Sequence, residues 1–149
     1  MSRAEDLKMG LASEKTVIPA IESITNTKLI HLGGYNTMDY TNEAKTVYVE
    51  LKTRRINRNA YATTIVGLNK IAFCDDPTKS YYFCFSFSDG LYYIKYDHKL
   101  FSTFKRNMNY YRHSRNDCIN PQQQVIEIPV DLLSPYIVNG SYSSTSTSG

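Results

Sequence analysis

The sequence has no tryptophan, three cysteines, and no apolar run near the roughly 20 residues a membrane-spanning helix requires. Cys74, Cys84 and Cys118 are odd in number, widely spaced and form no CxxC pair, which excludes a disulfide scaffold and speaks against structural zinc. They read as reduced thiols. With five prolines and seven glycines in 149 residues, a collagen-like chain is also excluded. Met1-Ser2-Arg3-Ala4-Glu5-Asp6 lacks the apolar core of a signal peptide, so the expectation is an intracellular protein with no membrane partner. No charge of one sign dominates: 17 Lys and Arg face 14 Asp and Glu. A formal charge of +3 permits a nucleic-acid partner without demanding one, because phosphate binding depends on where cations cluster.

What is present is a globular composition, 42% hydrophobic and 21% charged, in a length that suits one domain. That domain is read as residues 1–138. The Ser/Thr-rich stretch 139–149 carries too little apolar surface to order itself. Thirteen tyrosines and six phenylalanines supply core and sheet surface, with some left to form a stacking surface.

Ser13-Glu14 can open a helix, with Val17, Ile18, Ile21 and Ile24 at helical spacing. Lys28–Leu32 and Tyr35–Tyr40 read as short strands separated by Gly33-Gly34. In Val47–Lys52, alternation puts Val47, Val49 and Leu51 on one face and Tyr48, Glu50 and Lys52 on the other. Asn57-Arg58-Asn59 can cap a second helix, in which Tyr61, Ile65, Leu68 and Ala72 form a stripe. The β-branched run Thr63-Thr64-Ile65-Val66 and Gly67 lower its propensity. Tyr81–Ser88 and Leu91–Tyr96 flank Asp89-Gly90, a two-residue hairpin signal. Residues 99–115 are basic and aromatic and in part helical, and 125–130 form a last strand. The order helix, three strands, helix, hairpin predicts a mixed sheet flanked by helices, of α/β or α+β class.

The residues that can carry chemistry are Asp39, Glu50 and Lys52. Glu50 and Lys52 leave the same face of one strand. If the preceding hairpin turns between Ala44 and Lys45, Asp39 falls opposite Glu50; a one-residue slip would send it to the other face. Two carboxylates across a strand pair repel unless a cation lies between them. Hard oxygen donors suit Mg²⁺, with Mn²⁺ as a substitute, and Lys52 could orient and help deprotonate an attacking water. Phosphodiester hydrolysis needs such a set.

Met38-Asp39-Tyr40 followed by Val47-Tyr48-Val49-Glu50-Leu51-Lys52-Thr53-Arg54-Arg55 resembles the motif of the PD-(D/E)XK nuclease superfamily, with Met38 where the motif has proline. Ser13-Glu14, Tyr61–Lys70 and Phe85–Tyr93 are similar to small nuclease-like proteins of large DNA viruses and phages. The resemblance spans roughly residues 13 to 96. It implies a restriction-endonuclease-like αβββαβ core and a Mg²⁺-dependent nuclease acting on DNA, with RNA left open. In that reading Asp39 and Glu50 are metal ligands, Glu14 is an additional acidic member, Lys52 is the water-orienting base and Lys70 a phosphate contact. For a viral protein the host cytoplasm or nucleus would be the compartment.

Arg54, Arg55 and Arg58 follow the motif strand where a phosphate backbone would pass. A second cluster interleaves Lys99, Lys105, Arg106, Arg112, His113 and Arg115 with Phe101, Phe104, Tyr110 and Tyr111, a mixture that can grip phosphates and stack bases or form an ordinary amphipathic element. A chain this small would need a homodimer to cut both strands of a duplex. The alternative function is a non-catalytic nucleic-acid-binding or viral assembly module that keeps the fold.

Overall fold

The computed structural model describes residues 16–111 and 122–137. Ser13, Glu14, Arg112, His113, Arg115, Cys118 and the 139–149 stretch lie outside these. Helix α1 (residues 16–25) ends at Asn26, whose φ of 58° is the left-handed conformation that asparagine tolerates at a helix C-terminus. Strands β1 (Ile30–His31), β2 (Tyr40–Thr41) and β3 (Val47–Thr53) follow, then a 3-10 turn at Arg58–Ala60, β4 (Thr63–Gly67) and α2 (Leu68–Phe73). The chain continues through β5 (Ser80–Phe87), β6 (Gly90–Lys95), α3 (His98–Phe101), β7 (Arg106–Tyr111), β8 (Gln122–Pro129), a 3-10 turn at Val130–Leu132 and β9 (Ser134–Pro135).

Six strands form one mixed sheet in the order β1-β2-β3-β5-β6-β9, and β4-β8-β7 form a second. β3 and β5 run parallel, so the segment between them is a crossover that must leave the sheet and return, and it carries β4 and α2. This is the mixed α+β architecture that the sequence predicts, with an added strand, β4, between β3 and α2. The period-2 pattern of β3 decides its two environments. Val49 is buried with Ile21 of α1 and Cys84 of β5, with Val47 and Leu51 packed around them. On the opposite face, Phe83, Phe85 and Phe87 of β5 join Val66 of β4, Ile126 and Ile128 of β8, and Phe101 and Phe104 in the larger core. Each fully buried side chain of this size contributes about 1.5–3 kcal/mol, so the second sheet is fastened to the first by a shared apolar layer. Much of the aromatic content lies here: Tyr48, Phe73, Tyr81, Tyr96 and Phe101 form a chain of ring contacts with centroids 4.9–6.3 Å apart.

Four sequence expectations are corrected. The stripe Tyr61, Ile65, Leu68, Ala72 is not one helix: Thr63–Gly67 is a strand paired antiparallel with β8, and only Leu68–Phe73 is helical. β-branched residues took the extended state once a partner strand more than 50 positions away was supplied. Asn57 precedes a 3-10 turn and makes no side-chain cap bond. Tyr35–Tyr40 is mostly a turn, with strand only from Tyr40, because Gly33 and Gly34 take φ of +67° and +54°. The β5–β6 loop is Ser88-Asp89, one residue earlier than expected, since Phe87 pairs with Gly90. The Asp89 carboxylate accepts from the Arg58 amide at 2.9 Å and Gly90 takes φ +148° as β6 begins.

Candidate active site

The β2–β3 hairpin sets the register of the two acids. Tyr40 pairs with Val49 and Thr41 with Tyr48, which is the register expected for a turn between Ala44 and Lys45 and which extends to place position 39 opposite position 50. Asn42 holds this register against a slip. Its buried side chain accepts from the Thr46 and Val47 amides at 2.9 and 3.1 Å and donates to the Thr46 hydroxyl at 3.0 Å, while Lys45 adopts φ 57° to close the turn. Asp39 is locked to the motif strand twice: its amide donates to the Val49 carbonyl at 3.0 Å, and its Oδ2 accepts from the Leu51 amide at 2.8 Å.

Glu50 is 2% exposed. Alternation alone puts it on the polar face of β3, but α2 and the second sheet cover that face in the folded chain. Its Oε2 receives two ammonium groups, Lys52 Nζ at 3.0 Å and Lys70 Nζ at 3.4 Å. Its Oε1 is buried and has no hydrogen-bond partner among the described residues. Burial pushes the Glu50 carboxyl above its ordinary pKa; Lys52 and Lys70 pull it down, while the Asp39 carboxylate pushes it up. A buried carboxylate with one bare oxygen, facing a second carboxylate, is an unfinished electrostatic arrangement. A hard divalent cation would complete it, so the donor set fits Mg²⁺ or Mn²⁺. Among the described residues no three His, Cys, Asp or Glu side chains converge on one point, so Asp39 and Glu50 are the two that could hold a metal there. Glu14, the third acid suggested by the sequence, lies outside the described residues.

Lys70, expected as a phosphate contact, meets the motif acid. Besides Glu50 it donates to the Thr37 carbonyl, so one ammonium ties α2 to the motif acid and to the segment leading into Asp39. Nothing in the linear sequence marks this contact, which depends on how β4 delivers α2 to the sheet. The arginines also separate. Arg54 donates through Nη2 to the Ile65 carbonyl at 2.7 Å, joining β3 to β4. Arg58 reaches the Val130 carbonyl at 3.2 Å and the Asp131 carboxylate at 3.5 Å, and lies over the Tyr92 ring at 5.4 Å. Arg55 is exposed.

A cleft of about 1230 Å³ lies elsewhere, beside the end of α2, and contains none of Asp39, Glu50 and Lys52. Two of its three acids are engaged locally: Asp76 accepts from Thr78 and Asp97 caps α3. Chemistry, and not concavity, singles out the Asp39–Glu50–Lys52 set. No helix among the described residues is long and apolar enough to cross a membrane.

The model of a family described as "Phage putative PDDEXK endonuclease" matches residues 5–136, a span that includes Asp39, Glu50, Lys52 and Lys70. No curated protein matches the chain.

Proposed function

Because the chain belongs to the phage PDDEXK endonuclease family, we propose that it is a metal-dependent nuclease that hydrolyses DNA phosphodiester bonds at Asp39, Glu50 and Lys52. The observation that carries this reading is the bare, buried Glu50 Oε1 on a carboxylate paired by register with Asp39. Mg²⁺, when bound by these two side chains, would neutralise the scissile phosphate and acidify water.

The protein's own groups divide the remaining work. The Leu51 amide fixes the Asp39 carboxylate, so that acid is oriented before any ligand arrives. Lys52 shares the face of Glu50 and keeps its side chain 34% exposed, close enough to the acid to be positioned by it and open enough to meet a phosphate or a water. Its ammonium steadies negative charge developing on the phosphate and orients the attacking water. Lys70 is less exposed and stays with Glu50 and Thr37, holding the two acid-bearing segments together. Arg55 is the exposed cation beside the motif strand and the best placed of the three arginines to meet a phosphate backbone.

The reading is tested by incubating labelled single- and double-stranded DNA with the protein and Mg²⁺, Mn²⁺ or EDTA. Metal-dependent products are expected from the wild type and none from Asp39→Asn or Glu50→Gln. Salt-sensitive binding without products under every condition would favour the non-catalytic module instead.

A further inference from the structure

Beyond the acids and lysines, the loop between β1 and β2 carries a side chain with no structural task. The β1–β2 register, Ile30 with Thr41 and His31 with Tyr40, centres between Tyr35 and Asn36, so Tyr35 sits at the hairpin tip. The loop is fastened on both sides of its tip. The Leu32 amide donates to the Asp39 carbonyl at 2.8 Å and the Asn36 amide to the Gly33 carbonyl at 3.3 Å. The Asn36 side chain donates to the Leu32 and Gly33 carbonyls at 3.1 and 2.9 Å. Gly33 and Gly34 supply left-handed backbone that other residues adopt at a cost. On the returning arm, the Thr37 carbonyl accepts from Lys70 and Met38 is buried in the main core.

Tyr35 itself is 107% exposed. An aromatic side chain ordinarily buries about 150–250 Å², and Tyr48, Tyr81 and Tyr96 pack against other rings in this chain. A turn held this firmly, with its one large apolar group in water, presents that group to something outside the chain. Tyr35 is four residues from Asp39, so their Cα atoms are at most about 15 Å apart. Stacked bases on one strand repeat every ~3.4 Å, which puts the ring within a few nucleotides of a phosphate held at Asp39 and Glu50.

We propose that Tyr35 is a stacking platform for an unpaired nucleobase flanking the cleaved phosphate. The proposal rests on the nuclease reading and sharpens its substrate class. Bases inside a continuous duplex already stack on their neighbours on both faces, so a side chain at a loop tip finds a free base face in single-stranded or frayed DNA. Stacking alone recognises any base, because every base has a π-face, so the contact selects strandedness and not sequence.

The absence of tryptophan from the sequence makes the test clean. The variant Tyr35→Trp, combined with Lys52→Ala so that bound DNA is not cut, has a single indole at the tip. With Mg²⁺ and a short single-stranded oligonucleotide, its emission is expected to be quenched. A blunt duplex of the same sequence, or an oligonucleotide whose bases are replaced by abasic sites, should quench it far less. In the same Lys52→Ala background, Tyr35→Ala should weaken single-strand binding about tenfold while Tyr35→Phe keeps it, since the ring and not the hydroxyl makes the contact. Emission unchanged by any DNA, equal quenching by the abasic strand, or undiminished affinity in Tyr35→Ala would each overturn the proposal. Because quenching is read without cleavage, quenching in the double variant beside a wild type that cuts nothing would defeat the nuclease reading separately.

Discussion

Lys70 Nζ lies 3.4 Å from the same Glu50 oxygen that Lys52 reaches at 3.0 Å, so two ammonium groups from different elements converge on one buried carboxylate. Lys52 comes from the same strand as Glu50. Lys70 arrives on α2 and also holds the Thr37 carbonyl. Their removal should therefore have different consequences.

Lys70→Ala leaves the part-buried Thr37 carbonyl without this donor and Glu50 with one cation. The loss is expected to be about 1–3 kcal/mol, seen by calorimetry as a melting temperature lower by roughly 2–10 °C. Cleavage should fall with it because the acids lose their alignment. The salt slope of DNA binding should stay unchanged, since this ammonium is engaged inside the protein. A slope smaller by about one would instead identify Lys70 as a phosphate contact.

The reverse pattern is expected for the arginines. Arg55→Ala should weaken DNA binding and reduce the salt slope by about one with no change in melting temperature. Arg54→Ala and Arg58→Ala remove side-chain bonds to the Ile65 and Val130 carbonyls, so both should lower the melting temperature. Salt titrations and calorimetry on the three variants separate the two behaviours.

Glu50 gives a pH signature in the metal-free protein. Because burial raises its pKa, the folded state keeps the proton to higher pH than the unfolded state does. Its contribution to stability is full below about pH 4.5 and is lost as pH rises through the raised value. In EDTA, Glu50→Gln should remove that loss and be at least as stable as the wild type near neutral pH, while cutting no DNA. Melting temperatures measured from about pH 5 to 8 check this. Parallel curves for the two proteins would show that Glu50 ionises in the folded chain as it does in water.

Cys74 and Cys84 are buried free thiols whose pKa values burial pushes up to about 12. Neither should react with a disulfide reagent near pH 8 while the protein is folded. A Cys118→Ser variant isolates them, and it should show no reaction until denaturant is added and then two equivalents.

The motif strand was legible because its environment is written in its own residues. Val47, Val49 and Leu51 alternate with Tyr48, Glu50 and Lys52, and a period of two has one structural solution. The Asp39–Glu50 register was legible as arithmetic on a short turn, and Asn42 supplies the bonds that hold it. Thr63–Val66 were misread because their partner strand is Ile126–Pro129, far along the chain, and the helical spacing of Tyr61, Ile65 and Leu68 outweighed the β-branched run that argued for a strand. The burial of Glu50 and its contact with Lys70 were illegible for the same reason, since both follow from where β4 and α2 are carried. Tyr35 was read as the start of a strand, and its exposure belongs to the folded loop alone.

The most direct test of the central claim is cleavage of labelled DNA by wild type and Lys52→Ala in parallel, with Mg²⁺ and with EDTA. The account predicts products from the wild type with metal only and none from Lys52→Ala, with melting temperatures of the two proteins close together. Equal cleavage by Lys52→Ala, or cleavage that persists in EDTA, would contradict it.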